Sequence, residues 1–467
     1  MPHLKTLFPS ALTRTICLSH KRMSIELREY QQYLYNRTVA AFCRGNKRVL
    51  VTVGCGAGKS YIFAKMAERT AGPVLVLTHR QELLKQTAQL FREHGIKARI
   101  EMVLTEANRL GQHERPSLII TDEAHLSRSN SWTKVLDYYN TFTVGFTATP
   151  VRLDGKPLGD IYDELVTGVS VRWLIENRRL APYEYYAPTV VETDGLRVQA
   201  GDYVIKDLEQ LMSDRAIYSD VLKSWERLAK GEKTIAYCVS VKHARETAKM
   251  FCDAGYAAVE IDGGTPPKKR EQIMQDFRDG KITVLCNVGI ISEGVSIDDV
   301  TCCLLLRPTE SHALYWQQAM RCMRYRPCKV AKIIDCVGNY TRNPLPDADV
   351  EWSLKQSVRK KPHMNADGDF VIRTCPKCFK VFKTAPVCPY CGEEYPLHPR
   401  EIKEHQNIEL ARITAQEAEE AERKRKQARM EQGKAQTFEE LLAIGRAKGY
   451  KNPAFWAQQV IRGRKRQ

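Results

Sequence analysis

The sequence predicts an α/β protein with two tandem parallel-sheet domains, a four-cysteine metal module behind them and a helical basic tail. Three observations carry that expectation. Short apolar runs alternate with helix-period stretches through both halves of residues 24–345. One run opens into the glycine-rich string Val53-Gly-Cys-Gly-Ala-Gly-Lys-Ser60. Two Cys-x2-Cys pairs follow the second half.

Residues 1–23 are expected to form a disordered leader. They carry Lys5, Arg14, Lys21 and Arg22, no acid, and several Ser and Thr. That composition also suits an organelle transit peptide. We disfavour targeting because Met23-Ser-Ile-Glu-Leu-Arg28 begins directly before the first motif and makes a natural start.

Residues 24–165 are expected to be the first domain. Val49–Val53, Val74–Thr78, Leu118–Thr121 and Thr143–Phe146 read as strands, with helices such as Gln81–His94 between them. A strand, a glycine turn and a helix make a phosphate cradle: backbone N–H groups point into one concavity and the helix N-terminus adds its positive dipole end. Gly56, Ala57 and Gly58 would line it, Lys59 would reach the β/γ-phosphates, and the Ser60 hydroxyl would ligate Mg2+. The strict pattern wants glycine where Val53 stands. Downstream, Asp122-Glu123-Ala124-His125 closes a buried strand, so its carboxylates would face the ligand crevice. Asp122 would hold Mg2+ and Glu123 would activate water as general base. The plain alternative is a solvated acidic turn. Thr147-Ala-Thr149-Pro150 ends another strand, and its hydroxyls could sense the γ-phosphate.

Residues 166–205 hold glycines, prolines and polar turns and are expected to be a linker. Residues 206–345 repeat the strand–helix style, with Thr234–Val239, Ala258–Ile261, Thr283–Asn287, Cys302–Leu306 and Lys332–Asp335 as strands. Gln317-Gln-Ala-Met-Arg321-Cys-Met-Arg324 places two arginines at i, i+3, on one face of a helix. Brought to the γ-phosphate from a second domain they would act as arginine fingers, worth roughly 10³–10⁵ in rate. A basic solvated face is the plain alternative.

Together these residues resemble the superfamily 2 helicases and translocases of DEAH type over residues 25–345. The resemblance implies two RecA-like domains with ATP between them. It gives Gln31, in Leu27-Arg-Glu-Tyr-Gln31, the reading of adenine, and makes His125, Thr147, Thr149, Gly294 and Gln317 coupling positions. Leu77-Thr-His-Arg80 and Val103-Leu-Thr105 fall where the family contacts nucleic-acid backbone; Ile235–Ser240 and Cys286-Asn287 through Glu293–Ser296 resemble second-domain motifs. Within the superfamily the chain looks most like the bacterial RadD DNA-repair helicases and their phage relatives, and that likeness implies a cytoplasmic protein. Met320, Ser296 and Gly54-Cys55 depart from the family's usual residues, which bears on coupling and rate.

Cys375, Cys378, Cys388 and Cys391, spaced Cys-x2-Cys-x9-Cys-x2-Cys, give four thiolates that can close a tetrahedron around Zn2+. Residues 370–395 are therefore expected to be a structural zinc ribbon; two redox pairs are the rival reading. The remaining cysteines are scattered, as reduced thiols in a cytosolic chain would be. Residues 405–433 read as a charged spacer helix and 434–467 as a basic helical tail. In the tail, Tyr450 and Trp456 either stack on bases or form a small helical core.

The chain has 467 residues, 43% hydrophobic, and a net charge of +17, which implies an acidic polymer as partner, most simply nucleic acid, although an anionic membrane would also serve. No run approaches the ~18 apolar residues that span a bilayer. The expectation is an ATP-dependent DNA helicase or translocase using ATP, Mg2+ and Zn2+. A non-unwinding duplex translocase, an RNA helicase and a binding module with a degenerate motor remain as alternatives.

Overall fold

The computed structural model describes residues 24–152, 157–187, 196–199, 202–212, 215–289, 299–355, 372–394 and 437–447. The leader, the spacer helix, Gly294, Ser296, Tyr450 and Trp456 lie outside them. Residues 1–395 and 396–467 form two compact units. In the second unit a helix spans Phe438–Ala447, and Thr437 and Glu440 close a capping box across its first turn.

The first unit holds two six-stranded sheets. In the first, β1 (Arg48–Thr52), β2 (Val74–Thr78), β3 (Arg99–Met102), β4 (Leu118–Asp122), β5 (Phe142–Thr147) and β6 (Glu164–Thr167) stand in the order β3-β2-β4-β5-β1-β6. All neighbours run parallel. A parallel sheet is covered by helices on both faces, so its strands need apolar residues at every position rather than at alternate ones. β2, Val-Leu-Val-Leu-Thr, is buried throughout. The helix Lys59–Arg69 covers one face with Ile62, Phe63, Ala64 and Met66, and the Phe63 ring lies 5.7 Å from Phe146 and 6.3 Å from Phe91. Truncating such a buried ring to Ala costs about 3–5 kcal/mol.

The second sheet takes β7 (Tyr183–Tyr186), β10 (Thr234–Tyr237), β11 (Ala258–Ile261), β12 (Val284–Asn287), β13 (Cys302–Leu305) and β14 (Ala331–Asp335) in the order β11-β12-β10-β13-β14-β7, again all parallel. A short hairpin of β8 (Val198–Gln199) and β9 (Asp202–Tyr203) precedes β10. Trp225 anchors this core: its ring packs edge-on against Phe251 and Tyr256, and Nε1 donates to Thr234 Oγ1 at 2.8 Å. β15 (Ile372–Thr374) and β16 (Val381–Lys383) pair antiparallel in the cysteine module.

Two expectations need correction. The stretch 166–205 is more than a connector. β6 runs to Thr167 inside the first sheet, and β7 forms an edge strand of the second. Its turn-rich composition hid a strand because Tyr183-Glu-Tyr-Tyr186 is short and half polar. The second correction concerns the arginines. Their helix spans His312–Ala319, tightens to a 3-10 turn over Met320–Met323, and leaves Arg324 extended at φ −61, ψ 130. Backbone pairing with Leu180 and Ala181 pulls the chain out of the helix there. Among the described residues no helix is long and apolar enough to cross a membrane.

Candidate active site

Strand register gathers the site. Thr52 pairs with Thr147, and Asp122 with Phe146, so the loops after β1, β4 and β5 leave one sheet edge together. The loop after β1 has Gly56 at φ 81 and Gly58 at φ 78, left-handed positions where a Cβ would be strained. Gly58 caps the helix that carries Lys59 and Ser60. Its flank is full as well, because a Cβ there would lie 2.6 Å from Gln31 Nε2.

Gln31, 3% exposed, donates from Nε2 to the carbonyls of Ala57 (3.1 Å) and Gly58 (3.3 Å), and its Oε1 accepts from Arg28 N at 3.0 Å. Tyr30 OH donates to the same Ala57 carbonyl at 2.7 Å. The side chain expected to read a base is thus engaged with the phosphate loop. Tyr30, beside it in sequence, was the unmarked second holder of that loop.

Facing the loop, Lys59 Nζ lies 3.6 Å from Glu123 Oε1, with both side chains 13% exposed. Glu123 sits in the left-handed region at φ 51, a conformation that costs a non-glycine residue about 1–2 kcal/mol. That turn aims the carboxylate at Lys59 on one side and at His125 Nδ1, 3.4 Å from Oε2, on the other. His125 Nδ1 is also 3.3 Å from Thr147 Oγ1, which donates to Thr149 O at 3.1 Å. A continuous polar chain therefore runs Lys59–Glu123–His125–Thr147–Thr149. Burial works to raise the Glu123 carboxyl, but Lys59 and His125 outweigh it and hold it below the usual carboxylate range. Burial likewise works against the Lys59 charge, and Glu123 overcomes it to raise that group. Asp122 goes the other way: burial, then the Glu123 charge, push it up to about 6, and its Oδ1 accepts from Glu123 N at 3.0 Å. A bound divalent cation would oppose both effects on Asp122. Two adjacent carboxylates and the hydroxyl of Ser60, an exposed residue, are hard oxygen donors of the kind Mg2+ takes.

The second sheet contributes from the other side. A Cβ on Gly54 would lie 3.8 Å from Met320 Cε. Burial pushes the Cys55 thiol up, with help from the Glu123 charge, while the positive charges of Lys59, Arg321 and Arg324 work against it. Gln317 is buried in the preceding helix, and its Nε2 finds no hydrogen-bond partner among the described residues. Thr149 Oγ1 is in the same condition. Buried donors of this kind call for a ligand or water. Nothing in the sequence signals that Leu180 pairs with Arg324 and Ala181 with Met323.

A cleft of about 1320 Å³ separates the two sheets' helices, with His79, Arg80 and Lys85 on one wall and Lys268, Arg270 and Arg278 on the other. Arg80 Nη2 donates across it to Gly289 O at 3.1 Å, and Arg270 Nη1 meets Glu82 Oε1 at 3.1 Å. Leu104, in the Val103-Leu-Thr105 segment, is 58% exposed on a short helix.

In the cysteine module, the Sγ atoms of Cys375, Cys378, Cys388 and Cys391 all lie within 4.8 Å of one another. Two of their separations are 3.5 and 3.8 Å. Tetrahedral Zn2+ with bonds near 2.3 Å needs sulfur atoms about 3.8 Å apart, so the cluster fits that metal. The two knuckles share one backbone pattern: Phe379 N donates to Cys375 O and Gly392 N to Cys388 O, and both Phe379 and Gly392 have positive φ. Four thiolates are the full set of a tetrahedral Zn2+ site of the structural kind.

The family description "Type III restriction enzyme, res subunit" matches residues 24–152, and "Helicase conserved C-terminal domain" matches 215–326. A 51.5 kDa protein of a Lactococcus phage is 39% identical over 332 residues, 69% of this chain and 73% of that protein. IRC3 of Saccharomyces cerevisiae, named as an ATP-dependent helicase, is 29% identical over 67% of this chain, and the match spans about half of its length, 51%. In structure, a fragment of an HsdR subunit of a type I restriction enzyme from Vibrio vulnificus YJ016 superposes with a TM-score of 0.56 at 19% identity, over 74% of this chain and 68% of that one. With two helicase domain matches in tandem and a phage relative aligned over most of its length, the chain belongs to the superfamily 2 helicases, which are nucleic-acid-dependent ATPases.

Proposed function

We propose that the protein is an ATP-driven DNA motor, a helicase or translocase of DNA repair, recombination or replication intermediates, closest to the RadD type. The observation that carries this reading is the polar chain Lys59–Glu123–His125–Thr147–Thr149 beside a phosphate loop that Met320, the neighbour of Arg321, approaches from the second domain.

Lys59 and the loop amides hold the β/γ-phosphates, and Ser60 and Asp122 would hold Mg2+, which would neutralise developing phosphate charge. Glu123, kept ionised by Lys59 and His125, orients and polarises the attacking water. Arg321 and Arg324 complete the phosphate's surroundings from the second domain. His125 and the Thr147–Thr149 hydroxyls report phosphate loss to the loop after β5, and Gln317 and Gly294 serve the same coupling. Gln31 reads the nucleotide base once its bonds to the loop are exchanged. Little covalent chemistry falls on the protein, so positioning and charge carry the rate.

DNA is favoured as substrate by the match of residues 24–152 to a restriction-enzyme subunit family, while the cationic walls of the cleft suit any nucleic-acid backbone. The four-cysteine module would hold Zn2+ as a structural zinc ribbon. A duplex translocase that does not unwind is the second reading, favoured by the likeness to restriction subunits. ATPase assays with single-stranded DNA, forked DNA and RNA, beside strand- and triplex-displacement assays, test both. Stimulation by DNA over RNA with strand displacement supports the helicase. Triplex displacement alone supports the translocase, and stimulation by RNA alone refutes both.

A further inference from the structure

The chain crosses from the first sheet to the second through a compact segment. Ser170 Oγ caps the helix Val171–Glu176 by accepting from Trp173 N at 3.1 Å, and Arg178 at φ 53 turns the chain out of it. Arg179 N and Leu180 N both donate back to Leu174 O, at 2.7 and 3.1 Å. The segment is therefore fastened to itself, and it also packs on the phosphate loop. A Cβ on Gly54 would meet Val171 Cγ2 at 3.2 Å and Leu174 Cδ1 at 3.4 Å. Trp173 packs on Tyr30, the loop's holder, at 5.5 Å between rings.

From Leu180 onward the backbone belongs to the second domain. Leu180 pairs with Arg324 as an antiparallel bridge, and Ala181 N donates to Met323 O at 2.8 Å. Ala331 N then donates to Pro182 O, and β7 continues along β14. Yet the Leu180 side chain, 1% exposed, lies against the first domain: its Cδ2 is 2.9 Å from where a Gly56 Cβ would be. One residue thus has its backbone paired with an arginine of one domain and its side chain on the phosphate loop of the other.

We propose that Leu180 is a positioning residue that sets the register of Met320–Arg324 against the phosphate loop. Leu180 touches no phosphate; it acts through Gly56 and Arg324. A shift of the loop as nucleotide enters or leaves presses on Leu180 and moves the arginine segment through a backbone pairing rather than through flexible side chains. Shortening this contact leaves the loop able to bind ATP but lets the arginines fall out of line. Misplacement of about 1 Å can cost up to about 10²-fold in rate.

The proposal rests on residues 53–60 and 321–324 being two halves of one ATP site. It is tested with full-length Leu180→Ala, Leu180→Val and Leu180→Met, measuring ATP KM and kcat with kcat expressed per fluorescent-ADP-binding site. That normalisation removes any misfolded fraction, and valine covers the case in which alanine does not fold. Expected is a kcat loss of about tenfold for alanine and an intermediate loss for valine, with KM within about threefold and methionine within about twofold of wild type. Truncated variants with wild-type kcat per site overturn the positioning role. If wild type itself binds ADP but hydrolyses no ATP with DNA or RNA, the ATP-site reading fails and this proposal with it.

Discussion

Lys59 Nζ and Glu123 Oε1 stand 3.6 Å apart in a pocket where each is 13% exposed. The pair keeps the carboxylate ionised against burial, which is the state a water-activating base needs. Glu123→Gln removes the charge and keeps the shape. We expect nucleotide binding to persist and kcat to fall at least about 10²-fold. Lys59→Ala removes the phosphate contact and leaves Glu123 without its cation; we expect loss of both ATP affinity and turnover. Steady-state hydrolysis beside fluorescent-nucleotide titration checks each.

Across the cleft, Arg270 pairs with Glu82 at 3.1 Å, with side chains 25% and 35% exposed. Such a half-exposed pair adds under about 1 kcal/mol to stability. It does occupy a guanidinium suited to a backbone phosphate. Glu82→Gln should therefore tighten DNA binding, and Arg270→Ala should weaken it uniformly across sequences. In the alanine variant the slope of log K against log salt should shrink by about one. Fluorescence anisotropy over a salt series measures both.

The cysteine module is tied to the edge of the second sheet by Ala187 N donating to Phe379 O at 3.0 Å and by Lys380 Nζ meeting Glu184 Oε1 at 2.6 Å. Its own core is little more than the four cysteines and Phe382. Metal binding would then supply much of its folding energy. We expect one zinc per chain by elemental analysis, and loss of the metal in Cys378→Ser. Chelation should raise amide exchange across residues 372–394 and at β7, while the first sheet stays protected.

His243 is buried on the second domain, where its Nδ1 accepts from Val239 N at 3.3 Å. Burial pushes its pKa down to about 4. Because the folded value lies below the unfolded one, near 6.5, the stability involved is fully present above about pH 6.5 and is lost as pH falls toward 4. The loss is on the order of 3 kcal/mol. Urea unfolding between pH 7 and 4 should show it, and His243→Asn, which accepts the same bond without titrating, should flatten it.

Much of this arrangement could be read from the chain. The strand ends at Thr52, Asp122 and Thr147 follow from apolar runs that a parallel sheet demands, and the residues proposed for the phosphate chemistry stand at or just after them. The two Cys-x2-Cys pairs likewise meet as their spacing requires. What stayed hidden depends on contacts between distant segments. β7 becomes a strand because β14 offers it an edge, not because Tyr183-Glu-Tyr-Tyr186 has a strand pattern. Arg324 leaves its helix because Leu180 pairs with it. Gln31 turns to the phosphate loop because Gly58, lacking a Cβ, leaves room for its amide.

The central claim is that one nucleotide's terminal phosphate is held from both domains at once. A crystal structure of the protein with Mg2+, ADP and a metal-fluoride mimic of the leaving phosphate tests it most directly. The account predicts the mimic beside Lys59 and Glu123, with a guanidinium of Arg321 or Arg324 within hydrogen-bond distance. A mimic held by the first domain alone, with both arginines turned to solvent, would contradict it.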